Sequence, residues 1–154
     1  MTGSALGRLA AAVRAWWRER LGRRETDAGR WGEQVAAKWL KRQGYDIVGR
    51  RVRPNRRDEI DLVVRRGGQL VFVEVKTRRS EFFGRPVAAV DARKRHALCR
   101  AAAAYLRRTG YPRGCYRFDV VEVVGEPGDD EPVVRQIEGA FRFPPRYRFP
   151  AANS

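Results

Sequence analysis

Apolar positions recur along the chain with two periods, and the change between them marks where helices give way to strands. Leu6, Leu9, Val13, Trp17 and Leu21 fall at helical spacing with Arg8, Arg14, Arg18 and Arg20 on the other faces, which predicts a basic amphipathic helix over residues 5–21. Packing on the main domain, or extending from it, explains such a helix more simply than a membrane surface or an RNA does. Gly22 to Gly29 reads as a linker. A second helix is predicted from Trp31 to about Gln43, with Val35, Ala36, Trp39 and Leu40 as its apolar face and Gly44 as its stop.

From Tyr45 onward the period falls to two. Residues 45–52, 59–64 and 70–76 read as three consecutive strands, the last two joined by a hairpin turn at Gly67-Gly68. Residues 91–108 read as a long alanine-rich helix with a stripe of Leu98, Ala101, Ala102 and Tyr105, and residues 116–124 and 133–138 as two further strands. The stretch between those strands carries Glu126, Asp129, Asp130 and Glu131, most simply a solvated acidic turn. After Phe141 arginines, aromatics and prolines alternate, and an irregular tail is expected. The order helix, three strands, helix, two strands predicts an α/β domain built on a mixed sheet.

The 154 residues suit one domain. Lys and Arg number 33 against 18 Asp and Glu, a net +15 that attracts polyanions, of which nucleic acid is the commonest in a cell. Only Lys38, Lys41, Lys76 and Lys94 are lysines, an arginine bias that genomic base composition explains as well as guanidinium geometry does. Cys99 and Cys115 are too few for a disulfide framework or a zinc site, and the lone His96 supports neither a metal cluster nor a catalytic triad. The apolar run Leu9 to Val13 is too short to span a membrane, so no transmembrane segment and a cytoplasmic location are expected.

The chemically informative feature is charge placed inside strands. Glu59 and Asp61 fall on one face of the second strand, and Glu74 and Lys76 on one face of the third, while Val71, Val73 and Val75 fill the opposite face. Pairing through the glycine turn puts Asp61 near Glu74. Carboxylates gathered in a strand-rich interior are costly unless a cation joins them, and a hard ion such as Mg²⁺ or Mn²⁺ resolves that cost. An exposed cross-strand face, with Lys76 salt-bridged to Asp61, is the competing account. Glu33 either points to the sheet side of its helix or is a favourable charge near a helix N-terminus.

The ordered set Gly29-x-x-Gly32-Glu33, Asn55-Arg56, Glu59-Ile60-Asp61-Leu62, Phe72-Val73-Glu74-Val75-Lys76-Thr77-Arg78, Phe83-Gly84, Lys94, Arg117-Phe118-Asp119-Val120-Val121 and Ala140-Phe141 resembles the YraN-like family of uncharacterised bacterial proteins. The resemblance covers residues 29–141, leaving residues 1–28 and 142–154 outside it. It implies a PD-(D/E)XK, restriction-endonuclease-like three-layer fold similar to archaeal Holliday-junction resolvases, with a central five-stranded sheet flanked by helices. On that footing Asp61, Glu74 and Lys76 form the nuclease signature, with Glu33 as a helical supplement. Asp61, Glu74 and the backbone carbonyl of Val75 hold Mg²⁺ or Mn²⁺, and Arg56, Arg78 and Lys94 contact nucleic acid. One departure is visible: Asp58 stands where the family usually has glycine.

Three functions are compatible with this pattern. They are a structure-selective or nonspecific metal-dependent nuclease of DNA or RNA, a non-catalytic nucleic-acid-binding module of the same fold, and a structural RNA-associated protein. The acidic strand positions favour the first over the third, since charge alone gives no reason to set acids facing a polyanion. No helix-turn-helix or zinc finger supports base reading, and a homodimer is left open.

Overall fold

In the computed structural model, residues 27–80, 90–110 and 115–147 are described. Helix α1 runs through residues 27–42 and is followed by β1 (Asp46–Val52), β2 (Ile60–Arg66), β3 (Gln69–Arg78), helix α2 (Ala92–Thr109), β4 (Tyr116–Val124) and β5 (Val133–Phe141). The predicted N-terminal helix and the Phe83-Gly84 pair lie outside the described residues.

The strands form one sheet in the order β1-β2-β3-β4-β5. β1, β2 and β3 make an antiparallel meander, β3 and β4 are parallel, and β5 returns antiparallel to β4. Gly67 and Gly68 have φ of 57° and 81°, the positive values that a tight two-residue hairpin requires and that side chains resist. The parallel pair cannot be joined by a hairpin, and α2 is the crossover between β3 and β4. Asp91 caps α2 by accepting the amide of Lys94 at 2.8 Å, and Gly110, with φ 61°, ends it.

The sheet separates two cores, which gives three layers. On one face Ala36, Ala37 and Leu40 of α1 cover Leu62, Val64, Val71, Val73, Val121 and Val123. On the other, Leu98, Cys99, Ala101, Ala102 and Leu106 of α2 cover Ile60, Val63, Leu70, Phe72 and Phe118. β2, β3 and β4 are therefore buried on both faces, which explains their nearly continuous valine, leucine and phenylalanine content.

Two sequence expectations shift. Asp27 to Gly29 are already helical, so the linker does not reach Gly29. Residues 142–147 lack regular structure, as expected, but Phe143 and Tyr147 pack against the α2-side core, with Phe143 edge-on to Phe118 at 4.9 Å. Among the described residues no helix is long and apolar enough to cross a membrane.

Candidate active site

The ladder between β2 and β3 runs from Arg66 and Gln69 to Leu62 and Val73 and then stops. One step further the same register sets Asp61 against Glu74. Asp61 Oδ2 there accepts the backbone amide of Val75 at 2.8 Å, so a side chain fills a bond that the neighbouring strand no longer makes. β3 continues, paired with β4 from Glu74 opposite Val120 to Arg78 opposite Val124. The N–H and C=O of an extended residue point to the same side, so the Val75 carbonyl faces the Asp61 gap as its amide does.

Glu74 shares its face with Phe72 and points toward α2. It is only 3% exposed. Its Oε1 lies 3.0 Å from Lys76 Nζ, and its Oε2 lies 3.5 Å from Lys94 Nζ, one turn into α2. Lys94 is thus near enough for ion pairing, yet Oε2 makes no hydrogen bond among the described residues. Lys76 therefore pairs with Glu74 and not with Asp61, and the exposed cross-strand face is excluded by the burial of Glu74. Burial, reinforced by the negative charge of Glu74, raises the Asp61 carboxyl to about 7; the Val75 amide and the Lys94 charge oppose the shift.

Glu33 reaches this region from the other layer because of its neighbour. Gly32 is buried against β3, and a Cβ there would overlap Thr77 Oγ1 and stand 3.0 Å from Thr77 Cβ. The missing side chain lets α1 approach the end of β3 where Glu74 to Thr77 lie. The Glu33 carboxyl is raised first by burial, with Arg51 opposing and Glu59 and Glu74 adding to the shift. Since the helix is already formed at Asp27, Glu33 lies beyond the first turn, and the reading as a helix-terminal charge falls away.

Several charged residues around this centre have partners that the sequence did not foretell. Glu59 Oε1 accepts Arg51 Nε at 3.1 Å and its Oε2 accepts Arg53 Nε at 2.6 Å. Burial raises the Glu59 carboxyl, but these two bonds outweigh it and hold the group below its ordinary value. Asp58, the departure from the family pattern, is buried and takes two bonds from Arg100 of α2, at 3.2 and 2.9 Å, and one from Asn55 at 3.1 Å. It ties the loop before β2 to α2 and does not enter the site. Arg56 is exposed on that loop. Arg78 is turned to the buried Glu122, with Nε 3.3 Å from Oε1, so of the three expected phosphate contacts only Lys94 adjoins the carboxylates.

The Arg117-Phe118-Asp119 segment has a structural task on the α1 face. Asp119, 1% exposed, accepts Arg117 Nε at 2.9 Å, Gln136 Nε2 at 2.7 Å and the Gly139 amide at 3.0 Å. The Tyr45 hydroxyl accepts from Arg117 at 2.6 Å, which joins the end of α1 to β4 and β5. A buried charge with this many partners holds strands in register; the alternating pattern alone gave no sign of it.

Among the described residues no three carboxylate, thiolate or imidazole side chains converge closely enough to bind a metal by themselves. Glu33 thus does not converge with Asp61 and Glu74 into a three-carboxylate cluster, and the candidate oxygen donors at this end of β3 are Asp61, Glu74 and the Val75 carbonyl. An orphaned carboxylate oxygen beside a second carboxylate and a carbonyl suits a hard divalent ion that keeps several waters.

Fold and site together define a three-layer α/β domain with paired carboxylates and a lysine where two central strands part. Residues 32–123 match the uncharacterised protein family UPF0102. The chain belongs to this family, the YraN-like group its motifs resemble. A UPF0102 protein of Symbiobacterium thermophilum is 51% identical over 114 residues, 73% of this chain and 94% of the relative. One of Solibacter usitatus is 46% identical over 73% of this chain and 84% of the relative, and one of Trichlorobacter lovleyi 40% identical over 79% and 94%.

Proposed function

We propose that this protein is a metal-dependent phosphodiesterase of nucleic acid. The observation that carries the reading is the buried Oε2 of Glu74, which makes no hydrogen bond among the described residues and lies beside Asp61, whose carboxyl is raised by burial and by the charge of Glu74. Two acids at the broken end of a ladder are an expensive arrangement for stability alone. Asp61, Glu74 and the carbonyl of Val75 would hold Mg²⁺ or Mn²⁺, which when bound supplies a Lewis acid for the scissile phosphate and an acidified water. Lys76, fixed by Glu74, stabilises charge on the phosphoryl oxygens, and Glu33 adds a carboxylate at the edge of the site. Lys94 and Arg56 supply phosphate contacts, and the net +15 draws the polyanion in from a distance. A cytoplasmic location accords with such a substrate.

The second reading, a binding module that does not cleave, is favoured by Lys94, whose ammonium already offsets Glu74 without any metal. Cleavage of single-stranded, duplex and branched substrates with Mg²⁺ or Mn²⁺, compared between wild type and Asp61→Ala, separates the two. Equal activity in both proteins marks a contaminant and leaves the binding module. Binding in either case should weaken steeply with salt, by about 0.9 in log–log slope for each duplex phosphate neutralised.

A further inference from the structure

Arg51 has φ 48°, the one described residue other than glycine with positive φ. It belongs to β1 and lies between two paired positions, Arg50 opposite Leu62 and Val52 opposite Ile60, so it stands across from Asp61. An arginine in left-handed backbone within a strand is strained. Its visible reward is a salt bridge to Glu59 with the Arg51 side chain 43% exposed, and exposed pairs stabilise a fold only weakly. Stability therefore does not explain why this backbone is kept.

The direction of the side chain does. Arg51 and Arg53 both engage Glu59 through Nε, one on each carboxylate oxygen, which orients the two guanidinium forks while their side chains stay 43% and 70% exposed. The charge of Arg51 also acts on Glu33 and on Asp61. An anchored, outward-facing fork beside a carboxylate centre matches the bidentate recognition of a phosphate.

We infer that Arg51, oriented by Glu59 and seconded by Arg53, is a phosphate-binding residue that seats the nucleic-acid backbone next to the Asp61–Glu74 centre. This rests on the proposed action on nucleic acid. The backbone strain is what turns the Arg51 fork to that side, and Glu59 is a positioning residue whose negative charge is spent on holding two cations in place.

The test uses the full chain and a fluorescently labelled DNA duplex in chelator, so that binding is read without cleavage. Arg51→Gly removes the guanidinium and relieves the backbone at once, since glycine adopts positive φ freely, and Arg51→Asn does so while keeping a side chain. Both should hold or raise Tm, weaken duplex affinity about tenfold, and lower the log–log salt slope by about 0.9, one phosphate contact. Wild type that binds while both variants keep its affinity and slope overturns the inference and leaves the wider reading standing. Affinity lost together with a lower Tm in both variants assigns Arg51 to the fold and also overturns it. A wild type without salt-dependent binding removes the proposed function and this inference together.

Discussion

Asp61 Oδ2 accepts the Val75 amide at 2.8 Å just past the last paired residues of β2 and β3, Leu62 and Val73. A carboxylate here substitutes for a strand. It keeps the backbone of β3 satisfied where the sheet opens, and it sets a charge into a partly buried gap beside Glu74. That one side chain has a structural task and, in the proposed site, a chemical one, and the two respond differently to substitution.

Asp61→Asn should stabilise the metal-free protein at neutral and higher pH. The amide keeps an oxygen for the Val75 N–H but carries no charge. Asp61 has an ordinary carboxyl value of 3.8 and is raised to about 7 in the fold. The folded state thus holds this proton more tightly than the unfolded chain. The stability gained from it is fully present below about pH 4 and lost as pH rises through about 7. The variant should gain on the order of 1–2 kcal/mol at pH 8, a rise in Tm of about 2–8 °C, and much less at pH 5. Thermal melts in chelator at the two pH values check it; an equal shift at both would show that the ionised carboxylate is not the source.

Ion binding should be linked to the same proton. Mg²⁺ or Mn²⁺ needs Asp61 ionised, so its affinity should rise with pH up to about 7 and level off above, with a proton released on binding below that point. Titration calorimetry at pH 6 in two buffers of different ionisation enthalpy reads the release directly. Identical apparent enthalpies in both buffers would argue against Asp61 as a ligand.

The period-two pattern and the glycine turn made the β2–β3 register legible, because a one-residue slip of either strand would exchange Leu62 and Val64, or Val71 and Val73, between the α1-side and α2-side cores. That register alone placed Asp61 opposite Glu74. The partner of Lys76 was not legible, since alternation puts residues on a face without saying which of two carboxylates a flexible ammonium reaches. Lys94 was expected as a nucleic-acid contact, with no link to the carboxylates; only the crossover of α2 over β3 brings it to Glu74. Arg51 escaped notice because nothing in an arginine-rich run foretells a left-handed backbone. Asp58, a local departure in the family motif, proved to be a partner of Arg100 forty-two positions away, a distance at which single-sequence patterns carry no signal.

Gly32→Ala should cost about 1–3 kcal/mol, as overpacked cores do, because the new methyl overlaps Thr77 Oγ1. Thr77→Ala removes that atom and should recover part of the loss in the double variant, a coupling that denaturant titration of all four proteins measures. Additive losses would mean that α1 does not meet β3 at this pair. Because Gly32 also sets the approach of Glu33, the single variant should in addition weaken divalent binding.

Asp61→Ala and Lys76→Ala should both reduce metal-dependent cleavage, by at least about a hundredfold, while moving nucleic-acid affinity in opposite directions. Asp61→Ala takes away a ligand for the ion and a negative charge beside the phosphate, so binding in chelator should hold or tighten. Lys76→Ala takes away a cation and should weaken binding a few-fold. Among the described residues it also leaves the buried Glu74 with only Lys94 at ion-pair distance, so its Tm should fall, whereas Asp61→Ala gives up the bond to the Val75 amide but relieves the crowding of two acids. Anisotropy in chelator, cleavage in Mg²⁺ and thermal melts on the same three preparations give the full comparison. If the two variants bind alike, the phosphate does not lie between Asp61 and Lys76, and the site proposed for it is wrong.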